Sequence, residues 1–230
     1  MARSKLLTDL VSGSTSLENI LLRLKVILSD LEDKKITEWL SGELEGYKEE
    51  TVPSYRILKG SPRGTYIVNN NYHYTDARVP LGSTGTLNDE AIDKLITMKY
   101  TDGLNVIQNI LSSEDRNNLK MSISTDYCYR ISTVNLQILN MSINFSSNQL
   151  DGIVSSVKAK LVDIIMMLEK TFENIDALDI TSQIDENPQK TQQVIYNLQN
   201  IVYGDSTDVE IGNGNKISGS KIGKLFGLGK

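Results

Sequence analysis

The chain carries one histidine and one cysteine, and this bounds the chemistry available to it. A Ser–His–Asp site would have to use His73. That residue lies between Tyr72 and Tyr74 in an alternating segment, where a place on a sheet surface is the simpler role. With Cys128 alone, neither an intrachain disulfide nor a multi-cysteine metal site can form, and a multi-histidine site is excluded in the same way. The nucleophile elbow G-x-S-x-G is absent. Gly219 to Lys224, GSKIGK, has three residues between its glycines where a phosphate loop needs four. Leu225 stands where the magnesium-binding hydroxyl belongs. Gly82 to Gly85 precedes a helix and could cradle a phosphate on backbone amides, yet no lysine supports it. Asp205, Asp208 and Glu210 are close together without the spacing of an EF-hand loop. Tyrosines 47, 55, 66, 72 and 74 could stack bases, but the net charge of −5 and the lack of nearby lysine clusters favour packing roles. No metal or cofactor is expected, and nucleic acid is a disfavoured partner.

Two charges fall where apolar residues are expected. Thr15 and Glu18 have the spacing of a capping box, and Leu17, Ile20, Leu21, Leu24, Leu28 and Leu31 follow on one helical face. Arg23 lies on the shoulder of that stripe. In the next helix Ile36, Trp39, Leu40 and Leu44 share a side, with Gly46 as a natural stop, and Glu43 faces inward among them. A buried charge needs a partner. The expectation is a buried ion pair between Arg23 and Glu43, or between one of them and a backbone group, with a structural role. The short link predicts an antiparallel helical hairpin.

The rest of the chain supplies a sheet and a long helix. A short helix over 3–11 precedes the hairpin. Alternation over 54–79 predicts two or three antiparallel strands, with turns at Pro62-Arg63-Gly64 and Asn69-Asn70-Asn71. Asn88 or Thr86 should cap a helix in which Ile92, Leu95, Ile96 and Tyr100 face inward, and a second helix should cover 102–112. Residues 119–131 and 134–145 read as two more strands. From Leu150 to Phe172 apolar residues step by three and four, which predicts a helix over 147–174 facing the core. Asn187-Pro188 opens a last amphipathic segment.

Three of these segments carry a resemblance. Leu21-Leu22-Arg23, then Trp39 with Glu43-Leu44 and Gly46-Tyr47, then Pro53 with Tyr55-Arg56 resemble the LLR helix, the W-x-x-x-E-L-x-G-Y helix and the P-x-Y-R strand of the AbiTii family of bacterial abortive-infection proteins. The likeness is specific over about forty residues. It implies antiphage defence and supplies no reaction. Arg23, Trp39, Glu43, Gly46, Tyr47, Pro53, Tyr55 and Arg56 are therefore the motif residues to follow.

The C-terminal stretch differs in composition. Ile201, Val209, Ile217 and Leu225 fall eight residues apart, as do Gly204, Gly212 and Ser220. Short glycine-punctuated strands bury little alone and need neighbours. Ile201, Val209, Ile211 and Ile217 are accordingly candidates for holding an oligomer together. Residues 216–230 carry four lysines and no acid, with apolar side chains between them, so contact with an anionic membrane is an alternative. No run is long and apolar enough to span a bilayer, and the start lacks the apolar centre of a signal peptide, so the expected location is cytoplasmic.

The sequence thus predicts an α+β protein. An N-terminal helical hairpin packs with a small antiparallel sheet and a long helix in a domain over 1–179. A connector with an amphipathic helix covers 180–202, and a Gly/Asn-rich β tail covers 203–230. The expected function is self-assembly or partner binding in defence, as a homo-oligomer answering an unknown phage trigger or host target. The alternatives are an enzyme with an unrecognised site acting on nucleic acid or nucleotides, and a membrane-perturbing effector.

Overall fold

The computed structural model describes residues 3–83, 85–186 and 188–204, and the backbone at 210–211 and 215–216. The helices in chain order are α1 (Lys5–Ser12), α2 (Leu17–Ser29), α3 (Lys34–Glu45), α4 (Asp89–Ile96), α5 (Leu104–Ser112), α6 (Thr125–Ile131), α7 (Ser147–Thr171), α8 (Thr181–Glu186) and α9 (Pro188–Tyr203). The strands are β1 (Ile57–Lys59), β2 (Ser61–Val68), β3 (Tyr72–Arg78), β4 (Thr97–Lys99), β5 (Lys120–Ile123), β6 (Leu136–Asn144), β7 (Glu210–Ile211) and β8 (Asn215–Lys216). The protein is α+β: its sheets are antiparallel, and helices α4, α5 and α6 fall between their strands along the chain. The chain groups into two compact units, one of residues up to Ser41 with those from Lys158 onward, the other Gly42–Val157.

Apart from β7 and β8, the described elements of the first unit are helical. Ser16, not Thr15, caps α2: its hydroxyl accepts from the Asn19 amide at 3.2 Å. Glu18 then stands one position too early to reach back, and the expected capping box does not form. Asp33 does the same service for α3, accepting from the Ile36 amide at 2.9 Å. The apolar stripes are buried as their spacing requires, from Leu6 and Leu10 in α1 through Ile20, Leu21, Leu24, Ile27 and Leu28 in α2. Of the predicted α7 stripe, Leu161, Ile164, Ile165 and Leu168 are fully buried in this unit and Leu150, Ile153 and Val157 in the other, with Val154 half-buried.

The amino end of α1 is fastened by carboxylates from far along the chain. Glu169 accepts from the Ser4 amide at 2.7 Å and from Arg3 at 2.8 Å, while Asp176 accepts from the Lys5 and Leu6 amides at 2.8 and 3.1 Å. Carboxylates suit the unpaired amides and positive end of a helix. Partial burial works to raise the Glu169 pKa, but the Ser4 and Arg3 hydrogen bonds win and hold it below the usual carboxylate value of 4.5. A lowered folded-state pKa contributes stability above the unfolded value, lost as pH falls through the folded one. Acidification below about pH 4.5 is therefore expected to release α1 first. Hydrogen exchange of the Leu6 to Leu10 amides read against pH checks this, and Glu169→Gln should flatten the profile.

The second unit holds the main sheet, in the order β3-β2-β6-β5, all antiparallel, and a separate pair β1-β4. The β2–β3 hairpin turns at Asn69 and Asn70, both left-handed (φ 51° and 55°), as asparagine allows. Three expectations fail here. Pro62-Arg63-Gly64 is not a turn but lies inside β2, paired with Ile143, Ser142 and Met141 of β6. Residues 125–131 are helical instead of extended, since Ser124 caps α6 by accepting from the Tyr127 amide and the helix buries Cys128 and Ile131. Thr97–Lys99, read as the end of a helix, continues as strand β4 against β1. One face of the main sheet covers a core of Tyr66, Leu136, Ile138 and Met141 with Cys128 and Ile131.

Candidate functional site

Within the second unit the motif residues converge on one buried ionic clasp. Glu43 lies two residues from the end of α3, which stops at Gly46 because the next step needs φ 106°. A side chain there would also meet the Thr101 carbonyl at 2.9 Å. The chain then returns through short turns to Pro53, whose carbonyl accepts from the Arg56 amide at 2.9 Å and so fixes Tyr55 and Arg56 opposite Glu43. Glu43 Oε1 accepts from the Tyr47 hydroxyl at 2.7 Å, the Tyr55 hydroxyl at 2.6 Å and Arg56 Nε at 3.1 Å. Its Oε2 accepts from Arg56 Nη2 at 2.6 Å, and Arg56 Nη1 donates to the Asp102 carbonyl at 2.7 Å. The Tyr47 ring lies 5.0 Å from the guanidinium carbon, a cation–π contact, and crosses α3 at Gly42, where a Cβ would sit 2.2 Å from it.

Both charged side chains are 0% exposed. Burial tends to lower the Arg56 pKa, and the Glu43 hydrogen bonds and charge outweigh it, so the guanidinium stays charged. Burial first and the Glu43 carboxylate second push the Tyr47 phenol far above its ordinary value, which keeps it a donor. Tyr100, at the end of β4, is pushed up to about 12 by burial and the Asp102 carboxylate.

Chemically, this arrangement commits its polar groups to one another. Four hydrogen bonds occupy the lone pairs of the Glu43 carboxylate, and a guanidinium has none to offer. A 340 Å³ groove over the main sheet and a 350 Å³ cleft beside Val79 and Pro80 are lined by other residues.

The expected Arg23–Glu43 pair is replaced by Glu43–Arg56. Arg23 instead bonds Asp9 at 2.9 Å and lies 3.7 Å from Asp176, within the helical unit. Trp39 is buried in α3 and belongs to that unit too. Sequence spacing placed Glu43 inward but gave no reason to prefer Arg56; the signal available was that Glu43, Tyr47, Tyr55 and Arg56 are the polar members of one short motif. His73 is exposed on β3. Cys128 is buried, and burial pushes its thiol up, away from reactivity. Tyr66 and Tyr74 stack on each other at 5.0 Å. Thr84 in the Gly82–Gly85 loop lies outside the described residues, as do Asp205 and Asp208.

Of the proposed oligomerisation residues, Ile201 is in helix α9, so the eight-residue period does not begin as a strand there. Ile211 lies in β7, while Val209 and Ile217 fall outside the described residues. Among the described residues no helix is long and apolar enough to cross a membrane, and no group of three or more His, Cys, Asp or Glu could hold a metal ion.

No curated protein and no solved structure matches the chain. A family model described as AbiTii matches residues 4–194, a span that includes both halves of the clasp, and the chain belongs to the AbiTii family, which associates it with abortive infection and antiphage defence.

Proposed function

We propose that this protein acts in phage defence by joining chains, through its C-terminal tail, and not through a reactive pocket. The observation that carries this reading is the ladder of β7 with β8, in which Glu210 pairs with Lys216 and Ile211 with Asn215 as a sheet of two strands. A two-stranded ladder is marginal in water and gains stability from further strands. Copies of the same segment are the nearest source, and an exposed strand edge is a template for pairing. The saturated clasp agrees with this: it consumes the motif's polar groups in holding one unit together.

The experiment compares full-length protein with a chain ending at Gly204, by light-scattering mass and by phage plaque assay. Full-length protein should assemble and protect. The shortened chain should keep its helical circular dichroism, run as a monomer and lose protection. Equal mass for the two chains would remove the proposal.

A further inference from the structure

The register of β2 shifts at Thr65 against both of its neighbours. On the β3 side Gly64 pairs with Ala77 and Tyr66 with Tyr74, so Thr75 and Asp76 both stand opposite Thr65. On the β6 side Thr65 pairs with Asn140 and Tyr66 with Ile138, leaving Leu139 extra. The in–out alternation of β6 skips there, with Leu139 and Asn140 both exposed. The Asn140 side chain fills the break by accepting from the Thr65 amide at 3.1 Å. Bulges re-aim side chains and recur beside binding sites. Two at one point leave a groove of about 340 Å³ across the sheet, within the roughly 300–1,000 Å³ of small-ligand sites.

The groove is polar and locally positive in a chain of net charge −5. Arg63 and Lys120 line it with Asp76 as its one acid. Arg78 sits directly across the ladder from Arg63. Like charges opposite each other are unfavourable unless an anion lies between them. Asp76 supplies part of that: Arg63 Nε approaches its carboxylate at 3.3 Å, and Nη2 donates to its carbonyl at 2.7 Å. Yet the pair is open to water, with side chains 46% and 79% exposed, so the carboxylate is held weakly and an incoming anion can take its place.

We propose that this groove binds the phosphoryl group of a nucleotide-sized phosphate ester. A guanidinium fork, an ammonium and the hydroxyls of Thr65, Thr75 and Ser122 supply more donors than the two oxygens of a carboxylate can use, and they suit the several oxygens of a phosphate. A nucleic-acid polymer would need a longer basic track than the two cations that line this groove in an acidic protein. The inference stands independently of tail-mediated assembly, since all its residues lie in the Gly42–Val157 unit.

The test is calorimetric titration of full-length protein with inorganic phosphate, ATP and a single-stranded oligonucleotide. Wild type should bind ATP saturably, more weakly as salt rises. Arg63→Gln with Lys120→Gln should weaken binding at least tenfold while leaving the melting temperature in place. Asp76→Asn should tighten it severalfold, because it frees Arg63 and asparagine accepts the left-handed backbone at this position (φ 46°). The proposal is overturned by no binding of phosphate or ATP at millimolar concentration, by equal affinity in the double variant, by weaker binding in Asp76→Asn, or by an oligonucleotide that binds more tightly than ATP.

Discussion

Arg56→Met is expected to destabilise the protein by about 3–5 kcal/mol, because it strands the Glu43 carboxylate without its cation in a solvent-free site. At this chain length that corresponds to a drop in melting temperature of roughly 6–20 °C. The Asp102 carbonyl also loses its donor, and the Tyr47 ring loses its cation. Adding Glu43→Gln to Arg56→Met should recover part of the loss. The amide oxygen still accepts from Tyr47 and Tyr55, and no net charge remains buried. Melting curves of the two single variants and the double give the coupling between the positions, which should be well above the roughly 0.3–0.5 kcal/mol error of additivity for independent sites. Arg23→Met is the contrast. Its pairs with Asp9 and Asp176 are partly exposed, so its loss should be clearly smaller.

Gly64→Ala should be the most damaging single methyl in the sheet. A Cβ there would stand 2.0 Å from the Asn140 carbonyl oxygen and 2.9 Å from the Met141 Cα, both backbone of β6. Backbone in a central ladder cannot swing aside as a flexible side chain does, so β2 and β6 must separate. The cost is expected at about 3 kcal/mol, the upper part of the range for overpacked sites. Gly152→Ala makes the comparison. It lies in α7 with open space around its Cβ position, and alanine there should stabilise by about 0.5–1 kcal/mol through the unfolded chain and helix propensity. Chemical denaturation of both variants reads the opposite signs.

Much of the architecture was legible where period and length agree. The α7 stripe repeats over many turns, and the buried set matches it from Leu150 to Leu168. Glu43 was legible as inward for the same reason. Its partner was not, since helical spacing orders residues around one axis and says nothing of what a later loop brings back. Arg56 arrives through turns that spacing does not encode, while Arg23 pairs with Asp9 inside the helical unit. Pro62 and Gly64 read as a turn by composition. Their use in β2 comes from tertiary packing: Gly64 is there for the close approach of β6, and the Pro62 carbonyl accepts from the Val79 amide. Strand β4 spans three residues directly after a helix and has no period of its own. Helix α6 spans barely two turns, and Met121 and Ile123 before it alternate as a strand should. The groove was invisible because its making depends on register: Leu139 becomes the extra residue only when Thr65 meets Asn140.

The central claim is that the family motif fastens the fold and does no chemistry, and the most direct measurement is phage protection by Glu43→Gln/Arg56→Met beside its melting temperature and assembled mass. With the pair removed together and the protein still folded and assembled at the growth temperature, protection should remain at the wild-type level. A double variant that is still folded and assembled at the growth temperature but gives no protection would contradict the claim and place Glu43 and Arg56 among the reacting groups.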